Sequence, residues 1–311
     1  MTSSDCLALL MQHDRFLILT HARPDGDTLG SGAALCSALR RAGKAAFLYP
    51  NGQTAAHFAD LTAPYLAPAG FEPGFVVAVD TADVKLLAAG WTGAVQLCID
   101  HHPSNTGYAA QTLLRAGSAS CGEIILSLIE QLHGAPTPEE ASLLYVALAT
   151  DTGCFQHSNA GADAHRAAAR LIDAGADAGA LNRRLFCSSS AARLQLEGRI
   201  FSSLRIFHEG KTVFAVVTQQ MLRECGAAED DCDDLATLPG RLRGVEVYIT
   251  IREQDDGSCR VSARSAGRAD VCALCRRFGG GGHVLAAGCT LEGPPDAAVE
   301  RLLAALEEQT A

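Results

Sequence analysis

Short, continuous apolar runs recur through the first half of the chain and limit most strongly what it can fold into. The runs lie within RFLILTH, GFVVAVD and AVQLCID, and each ends in a histidine or an aspartate. Strands that are buried on both faces of a parallel sheet have this continuous pattern, whereas half-exposed strands alternate. Helical patterns separate the runs, because ARPDGDTLGSG leads into the helix AALCSALRRAGK and GAPTPEE leads into EASLLYVALATD. The alternation predicts an α/β fold with a doubly wound parallel sheet.

The length of 311 residues exceeds what a single hydrophobic core usually supports and suggests two domains. In the second part, KTVFAVVT, GVEVYITIRE and CRVSARS predict strands, and DAAVERLLAALEEQ predicts an amphipathic helix. We predict a first domain over residues 1–185, a helical linker over residues 186–208 and a smaller α/β domain over residues 209–311.

The hydropathy pattern argues against a membrane protein. No apolar run approaches the roughly 20 residues that cross a bilayer, and MTSSDCLALLMQHDRF lacks the basic start and the cleavage site of a signal peptide. We therefore expect a cytoplasmic protein that does not contact membranes.

The 12 cysteines stand singly in apolar contexts, which in a reducing compartment is typical of small core residues. Cys272 and Cys275 have C-x-x-C spacing, but a structural zinc site needs a second such pair and none is present. Because positions three apart share one face of a helix, we expect both thiols to pack inward.

The net charge of −10 argues against non-specific binding to long nucleic acids, which depends on dense positive charge. The charge is unevenly distributed: residues 1–182 carry 9 basic and 17 acidic side chains, whereas residues 183–311 carry 16 and 18. Nearly all basic residues of the second part are arginines. The pattern indicates a first part suited to cations and a second part suited to phosphate.

Ionisable side chains stand in four groups at the ends of the predicted elements of the first domain. The carboxyl ends of parallel strands are where ligands bind in open α/β sheets, so these groups should converge. Imidazole mixed with carboxylates and without thiolate suits Mn²⁺ or a similar divalent ion, and the donors suffice for two ions. A single aspartate at such a position is as readily a helix cap, but four groups together favour a metal centre. The residues are His21, Asp25, Asp27, Asp80, Asp100, His101, His102 and Asp151.

The segment RRFGGGGHVLAAG of the second domain is a candidate phosphate-binding loop. Glycines without Cβ atoms let backbone N–H groups approach an anion closely, as in phosphate-binding nests. The run ends in His283 and follows a strand in which Arg264 stands beside Ser262 and Ser265. A flexible loop with a surface histidine is the alternative.

Five motifs in order resemble those of the DHH phosphoesterase superfamily with its DHH-associated C-terminal domain: THARPDGD, VDTAD, DHHPSN, ATDTGCFQHSN and VSARSAG…FGGGGH…AAG. The resemblance spans almost the whole chain. Within the superfamily the chain is most similar to the cytoplasmic bacterial nanoRNase and pAp phosphatase branch, whose members include enzymes that act on pApA from cyclic di-AMP turnover. The resemblance implies an active site in the cleft between the two domains, and a homodimer.

The resemblance also implies a role for each residue of the motifs. Two Mn²⁺ ions are expected, with Mg²⁺ or Co²⁺ as alternatives. Asp80 would bridge them and, with His101 and His102, would form the catalytic group; His102 would face the substrate, and Asp100 would orient the adjacent histidine. The distal phosphate or terminal nucleotide would be held in the second domain. The first ion would bind His21 and Asp25, the second Asp27, His101 and Asp151, and the substrate would bind Arg264, Gly280, Gly281, Gly282 and His283.

The expected activity is hydrolysis of very short oligonucleotides to mononucleotides, with removal of the 3′-phosphate of pAp as a further activity. A RecJ-type exonuclease acting on longer single strands is an alternative, but it requires a basic channel and stacking aromatics, which an acidic chain with 5% aromatics does not clearly offer. A family II pyrophosphatase would lack the glycine-rich C-terminal motif. A catalytically silent nucleotide sensor would be expected to have lost a metal ligand, and none is missing.

Overall fold

A computed structural model describes residues 1–232 and 235–310, and the chain forms two compact units, Met1–Ser188 and Ser189–Ala311. The segment predicted as a linker, residues 186–208, thus falls mostly in the second unit. Its helix buries Leu196 and Ile200 completely in a cluster with Ala215 and Val217 of the second unit, because these two apolar residues lie four positions apart on one helix face.

The first unit contains a five-stranded parallel sheet in the order β2-β1-β3-β4-β5, which confirms the predicted α/β class. The three predicted strands are present and nearly every residue in them is buried, as their continuous apolar sequences require. The strands are β1 (Phe16–Leu19), β2 (Ala46–Leu48), β3 (Phe75–Val79), β4 (Leu97–Asp100) and β5 (Gln111–Leu114).

Helices cover one face of this sheet, and connecting segments cover the other. Side chains such as Phe16 and Val77 pack against α1, α2, α4 and α5, whereas Leu17 and Val76 on the opposite face pack against loop residues that include Trp91. The helices of the first unit are α1 (Ser3–Gln12), α2 (Gly26–Arg41), α3 (Ala59–Thr62), α4 (Cys121–His133), α5 (Pro138–Asp151), α6 (Ala162–Asp173) and α7 (Ala178–Phe186).

Helix α2 begins earlier than predicted, at Gly26, so the segment assigned to a loop is mostly helical. The side chain of Asp25 caps the helix by accepting hydrogen bonds from the backbone N–H groups of Asp27 and Thr28 at 3.0 and 3.2 Å. Three glycines in the first turns obscure the helical pattern in the sequence, because glycine is a poor helix former.

One of these glycines allows α2 and α5 to approach closely. A Cβ atom on Gly30 would lie 2.3 Å from the carbonyl oxygen of Leu143, which is backbone and cannot turn aside. Because Asp27 lies on α2 and Asp151 ends α5, this close contact also sets the separation of two candidate metal ligands.

The second unit contains a six-stranded sheet in the order β10-β11-β9-β8-β7-β6. Neighbouring strands are antiparallel except for β7 and β8, which run parallel. The three predicted strands and the predicted final helix are present. The strands are β6 (Arg205–Phe207), β7 (Thr212–Val217), β8 (Val247–Glu253), β9 (Ser258–Ser265), β10 (Gly281–His283) and β11 (Ala286–Glu292).

The helices of the second unit cover the two sheet faces unequally. Helices α10 and α11 pack over one face, and both C-x-x-C thiols, Cys272 and Cys275, are buried there as predicted. Helices α8 and α9 pack on the other face against Ala215 and Val217 of β7. Ten of the twelve cysteines are buried, Cys154 is half-buried and Cys187 is exposed. The helices are α8 (Ala191–Ser202), α9 (Gln219–Cys225), α10 (Val271–Arg276) and α11 (Pro295–Thr310).

Within the described part of the chain, no helix has the length and apolar character that a membrane span requires.

Because of the contact at Gly30, we expect a glycine-to-alanine substitution in this helix to destabilise the protein instead of stabilising it. Replacing a glycine inside a helix by alanine normally stabilises a protein by about 0.5–1 kcal/mol. We expect Gly30→Ala instead to lower the free energy of unfolding by about 1–3 kcal/mol, because the new methyl group overlaps backbone. Urea denaturation would measure the change.

Gly198→Ala provides the matched control. Gly198 lies inside α8, and no atom of residues 1–232 or 235–310 lies within 4 Å of the position that a Cβ would take. This variant should show the normal stabilisation. If both variants were stabilised, Gly30 would not limit the approach of α2 to α5.

Candidate metal centre

All eight side chains predicted for the metal centre belong to the first unit, and most of them follow the carboxyl ends of neighbouring strands. His21 follows β1, Asp80 follows β3 and Asp100 ends β4. The strand order places β1 beside β3 at the point where the chain reverses its direction across the sheet, which is where α/β proteins of this order bind ligands.

Each histidine of the site has its Nδ1 atom held by an acceptor. Nδ1 of His21 lies 2.8 Å from the carbonyl oxygen of Ala22, and Nδ1 of His101 lies 3.1 Å from that of Ser118. Nδ1 of His102 lies 2.8 Å from Oδ1 of Asp100. A ring that donates from Nδ1 keeps the lone pair of Nε2 for a metal or a substrate.

Two groups of donor atoms meet at Asp80. In the first group, Nε2 of His21 lies 3.5 Å from Oδ1 of Asp25 and 3.6 Å from Oδ2 of Asp80. Asp80 thus directs one carboxylate oxygen to each group, since its Oδ1 lies 3.3 Å from Nε2 of His101 in the second.

The second group adds two further carboxylates around His101. Nε2 of His101 lies 3.7 Å from Oδ2 of Asp27 and 3.8 Å from Oδ2 of Asp151. The donor atoms of Asp27, His101 and Asp151 all lie within 4.8 Å of one another, as do those of His21, Asp25 and Asp80. A third such group, Asp80, His101 and His102, overlaps the other two. The structure therefore brings together the residues predicted for both ions.

Two buried atoms at the centre of the cluster have no hydrogen-bond partner among the residues that the structure describes. They are Oδ1 of Asp80 and Nε2 of His101, both of which are potential metal ligands. Asp80 also has a left-handed backbone, with φ of 54°, which is uncommon for a residue with a side chain and often occurs at functional sites. Unpaired buried donors and an unusual backbone both fit a site that binds a cation.

Asp27 is held by the beginning of α4. Its Oδ2 accepts a hydrogen bond from the backbone N–H of Cys121 at 2.7 Å, and its Oδ1 accepts from that of Gly122 at 3.0 Å and from Oγ of Ser31 at 3.0 Å. The helix N-terminus favours the negative charge of the carboxylate. The thiol of Cys121 donates to the carbonyl of Ile99, so it lies outside the donor groups.

The uncompensated carboxylates shift the pKa values of the site. Burial lowers the pKa of His21, but the hydrogen bond and charge of Asp25 outweigh it and raise that pKa to about 9. Burial also lowers the pKa of His101, but the hydrogen bond to Asp80 and the charges of three aspartates outweigh it and raise that pKa to about 10. Burial raises the pKa of Asp80 and raises that of Asp151 to about 6. The cluster thus attracts positive charge strongly.

A hydrogen-bond network fixes the completely buried Asp100. Its Oδ1 accepts from the backbone N–H groups of His101 and His102 at 2.8 and 3.2 Å, in addition to the ring of His102. Its Oδ2 accepts from Nδ2 of Asn105 at 2.6 Å. Asp100 therefore orients His102 directly, whereas for His101 it holds only the backbone.

Two asparagines outside the predicted set of residues support the site. Asn105 completes the network of Asp100, and Nδ2 of Asn159 donates to the carbonyl oxygens of Ala119 and Asp151 at 3.0 and 3.2 Å. Asn105 is the last residue of the motif DHHPSN, and Asn159 is the last residue of ATDTGCFQHSN. These positions within the motifs could have indicated a role for both asparagines.

The residues predicted to bind substrate lie in the second unit. Gly281–His283 forms the edge strand β10 rather than the predicted loop, and within it a Cβ atom on Gly282 would lie 2.5 Å from the carbonyl oxygen of Ala286. A Cβ atom on Gly280 would lie 2.1 Å from the carbonyl oxygen of Gly288. His283 pairs with Ala286, and Ala286 pairs with Arg264, so His283 and Arg264 share one sheet face. Ser265 is buried on the opposite face.

Two bacterial relatives resemble the chain along nearly its full length. The bifunctional oligoribonuclease and PAP phosphatase NrnA of Thermus thermophilus is 32% identical over 296 residues, which cover 94% of this chain and 89% of that protein. The protein of the same name from Bacillus subtilis is 26% identical, with 98% and 97% of the two chains covered.

A solved structure has the same fold. An exopolyphosphatase-related protein from Bacteroides fragilis superposes with a TM-score of 0.88, covering 98% of this chain and 96% of its own. The sequences are 22% identical, so this similarity concerns the fold alone.

We expect one substitution in the cluster of carboxylates to change thermal stability in opposite directions with and without metal. Asp80→Asn removes a buried negative charge and suits the left-handed backbone, so in EDTA its melting temperature should equal or exceed that of the wild type. Mn²⁺ at 100 times its dissociation constant should stabilise the wild type by about 2.7 kcal/mol. Asp80→Asn should lose most of this gain.

Asp83→Asn serves as the control in the same thermal melts, because Asp83 caps a short turn nearby and belongs to none of the donor groups found in the described residues. It should respond to Mn²⁺ as the wild type does. Equal gains in the Asp80→Asn and wild-type proteins would contradict the metal centre.

Family models match both parts of the chain. The model described as DHH family, N-terminal domain, matches residues 15–148, and the DHHA1 domain model matches residues 211–311. Together with the relative that is 32% identical over 94% of the chain, these matches confirm the predicted family. The chain belongs to the DHH family of phosphoesterases, in the branch that contains the NrnA proteins.

Proposed function

We propose that the chain is a Mn²⁺-dependent phosphoesterase that hydrolyses very short oligonucleotides to mononucleotides and also removes the 3′-phosphate of pAp. The observation that carries the proposal is Asp80, which directs its two carboxylate oxygens to two separate groups of metal-ligating atoms. The names of the relatives from Thermus thermophilus and Bacillus subtilis support the substrate class.

His21, Asp25 and Asp80 would hold one ion, and Asp27, Asp80, His101 and Asp151 the other. Their nitrogen and oxygen donors suit Mn²⁺, with Mg²⁺ or Co²⁺ as alternatives. Divalent ions in such pairs activate water at neutral pH and stabilise charge on phosphoryl oxygens.

The protein's own groups position the substrate and handle protons. His102 is 42% exposed at its side chain and is held through Nδ1 by Asp100, so its Nε2 is accessible to a phosphate oxygen or to the leaving group. The Asp100 hydrogen bond raises the pKa of His102, which favours the protonated ring that can donate a proton. His102 would therefore bind the scissile phosphate or protonate the departing oxygen.

The second unit would hold another phosphate of the same substrate. Arg264 and His283 lie on one sheet face beside Gly281, where a planar guanidinium can bind phosphate in a bidentate manner. An anchored phosphate determines which bond meets the reactive groups, and such positioning contributes substantially to rate. We further propose that the protein is a cytoplasmic homodimer, as its resemblance to the nanoRNase and pAp phosphatase branch implies.

A substrate panel tests the proposal against the exonuclease alternative. With Mn²⁺ and equal protein, we expect turnover of pAp, pApA and a five-nucleotide RNA to exceed that of a single-stranded DNA of about thirty nucleotides, because long polyanions need extended positive surface. Preference for the long DNA would move the protein to the RecJ-type activity. Binding of all four without turnover would indicate a sensor.

A second prediction concerns the support of His102. Asn105→Ala removes the donor to Oδ2 of Asp100 and should loosen the orientation of His102. We expect kcat for pApA to fall about 10- to 100-fold, part of the 10²–10⁴ that a positioned acid–base group contributes, with KM nearly unchanged.

Asn182→Ala is the control for this loss of an amide, because Nδ2 of Asn182 donates to the hydroxyl of Tyr145 at 3.1 Å, outside the donor groups. Its kcat should match the wild type. The rise in melting temperature with Mn²⁺ should persist in both variants. An unchanged kcat for Asn105→Ala would show that the network does not matter for turnover.

A further inference from the structure

A short antiparallel pairing joins the segment after β1 to the segment after β3, beside the metal centre. The backbone N–H of Ala22 donates to the carbonyl oxygen of Leu86 at 2.6 Å, and that of Ala88 donates to the carbonyl oxygen of Thr20 at 3.0 Å. The carbonyl oxygen of Ala22 also lies 2.8 Å from Nδ1 of His21, a candidate metal ligand. Residues next to this pairing therefore lie beside the metal centre.

A basic residue stands next to the pairing on each of the two segments. Arg23 and Lys85 are both exposed. His21 and Leu87 form an antiparallel bridge, and continuing this register by two residues brings the backbone of Arg23 towards that of Lys85. The fold thus places two positive charges together at the rim of the metal centre.

Among the described residues, neither of these positive side chains has a partner of opposite charge. In residues 1–232 and 235–310, the guanidinium of Arg23 and Nζ of Lys85 make no hydrogen bond or ion pair. The carboxylates nearest in sequence have other contacts, since Asp25 lies against the ring of His21 and Asp83 accepts from the backbone N–H of Lys85. Two neighbouring positive charges repel each other, and a bound anion would offset that repulsion.

The backbone of Arg23 has an uncommon conformation. Its φ of 50° lies in the left-handed region, which glycine adopts without strain and long side chains rarely adopt. A neighbouring loop holds the segment there, because Oε1 of Gln53 accepts from the backbone N–H of Arg23 at 3.3 Å and Nδ2 of Asn51 donates to the carbonyl oxygen of His21 at 2.9 Å. An arginine retained in a strained position indicates a role for its side chain.

Both side chains are long enough to reach a phosphate next to the metal centre. Arg23 is two positions from His21 and two from Asp25, so its Cα atom lies within about 7 Å of theirs. A guanidinium binds phosphate in a bidentate manner, and an ammonium group adds a compact positive charge. A phosphate that flanks the scissile one in the substrate is the group that this pair suits.

We propose that Arg23 and Lys85 bind a non-scissile phosphate of the substrate, the one that flanks the scissile phosphate on the side away from the phosphate held by Arg264 and His283. The inference rests on the proposed function for its substrate class. A 5′-phosphorylated strand of three nucleotides has three phosphates and can use all of these positions, whereas pApA and pAp have two. The pair would therefore favour three nucleotides over two.

Arg23→Gln and Lys85→Gln test the pair, because glutamine keeps a polar side chain and removes the charge. With Mn²⁺, we expect each variant to raise KM for a 5′-phosphorylated three-nucleotide RNA about tenfold, the size of one charge-assisted hydrogen bond, with kcat unchanged. KM for pApA and pAp should not change. Arg23→Lys should have a smaller effect than Arg23→Gln, because lysine keeps the charge and loses only the bidentate geometry.

Arg15→Gln is the matched control. Arg15 is also an exposed arginine with a left-handed backbone, with φ of 57°, but it precedes β1 and so lies at the opposite end of that strand from His21. It should behave as the wild type with every substrate. The rise in melting temperature with Mn²⁺ should persist in all variants, because the metal-ligating residues are unchanged. A KM that rose equally for pApA and the three-nucleotide RNA, or for neither, would overturn the inference.

Direct binding separates this inference from the proposed function. Fluorescence anisotropy in EDTA, with labelled RNAs of two and three nucleotides, measures affinity without hydrolysis. If the wild type hydrolysed neither RNA, the proposed function would fail, yet selective weakening of the longer RNA by Arg23→Gln would still support the phosphate-binding pair. Hydrolysis of both RNAs, with equal affinities in the variant and the wild type, would support only the proposed function.

Discussion

Asp80 lies between two histidines and three other carboxylates in the interior of the first unit, and this concentration of negative charge determines much of the surrounding structure. Its backbone is left-handed, its Oδ1 has no hydrogen-bond partner in the described part of the chain, and burial raises its pKa. Neutralising such a group without a cation requires protons, which the raised pKa values of His21 and His101 reflect. The hydrogen bonds to Nδ1 of each histidine and to both oxygens of Asp27 maintain these positions, so the donors are arranged by the fold itself.

The sheet and two helices bring these donors together from distant parts of the chain. The strand order places the ends of β1 and β3 side by side, and the contact at Gly30 presses α2 against α5. A metal centre built in this way depends on the packing of α2 against α5 at residues that are not donors themselves. Small changes in helix separation would alter the distance between Asp27 and the aspartate that ends α5.

The convergence of the first unit's donor side chains could be predicted from the sequence because most of them stand at or near the end of a strongly apolar element. Strands buried on both faces have continuous apolar sequences, so their ends, and hence the positions of His21 and Asp80, can be recognised. The start of α2 was missed because glycines needed for close packing resemble a loop. The hydrogen bonds from the backbone N–H groups of Cys121 and Gly122 to Asp27 could not be predicted, since nearly every residue type has such a group.

In the second unit, the strand register determines which side chains share a sheet face, and the sequence alone does not give this register. The glycine run was predicted as a loop, but its glycines allow close contact between β10 and β11, and this pairing aligns His283 with Arg264. A shift of one residue would move every side chain of a strand to the other face, so no residue list reveals which arginines act together. With the register known, Arg260 and Arg264 lie on one face with Glu292 at its end. A net charge of −10 therefore does not by itself oppose nucleotide binding, because basic side chains can stand together on one sheet face whatever the total charge of the chain.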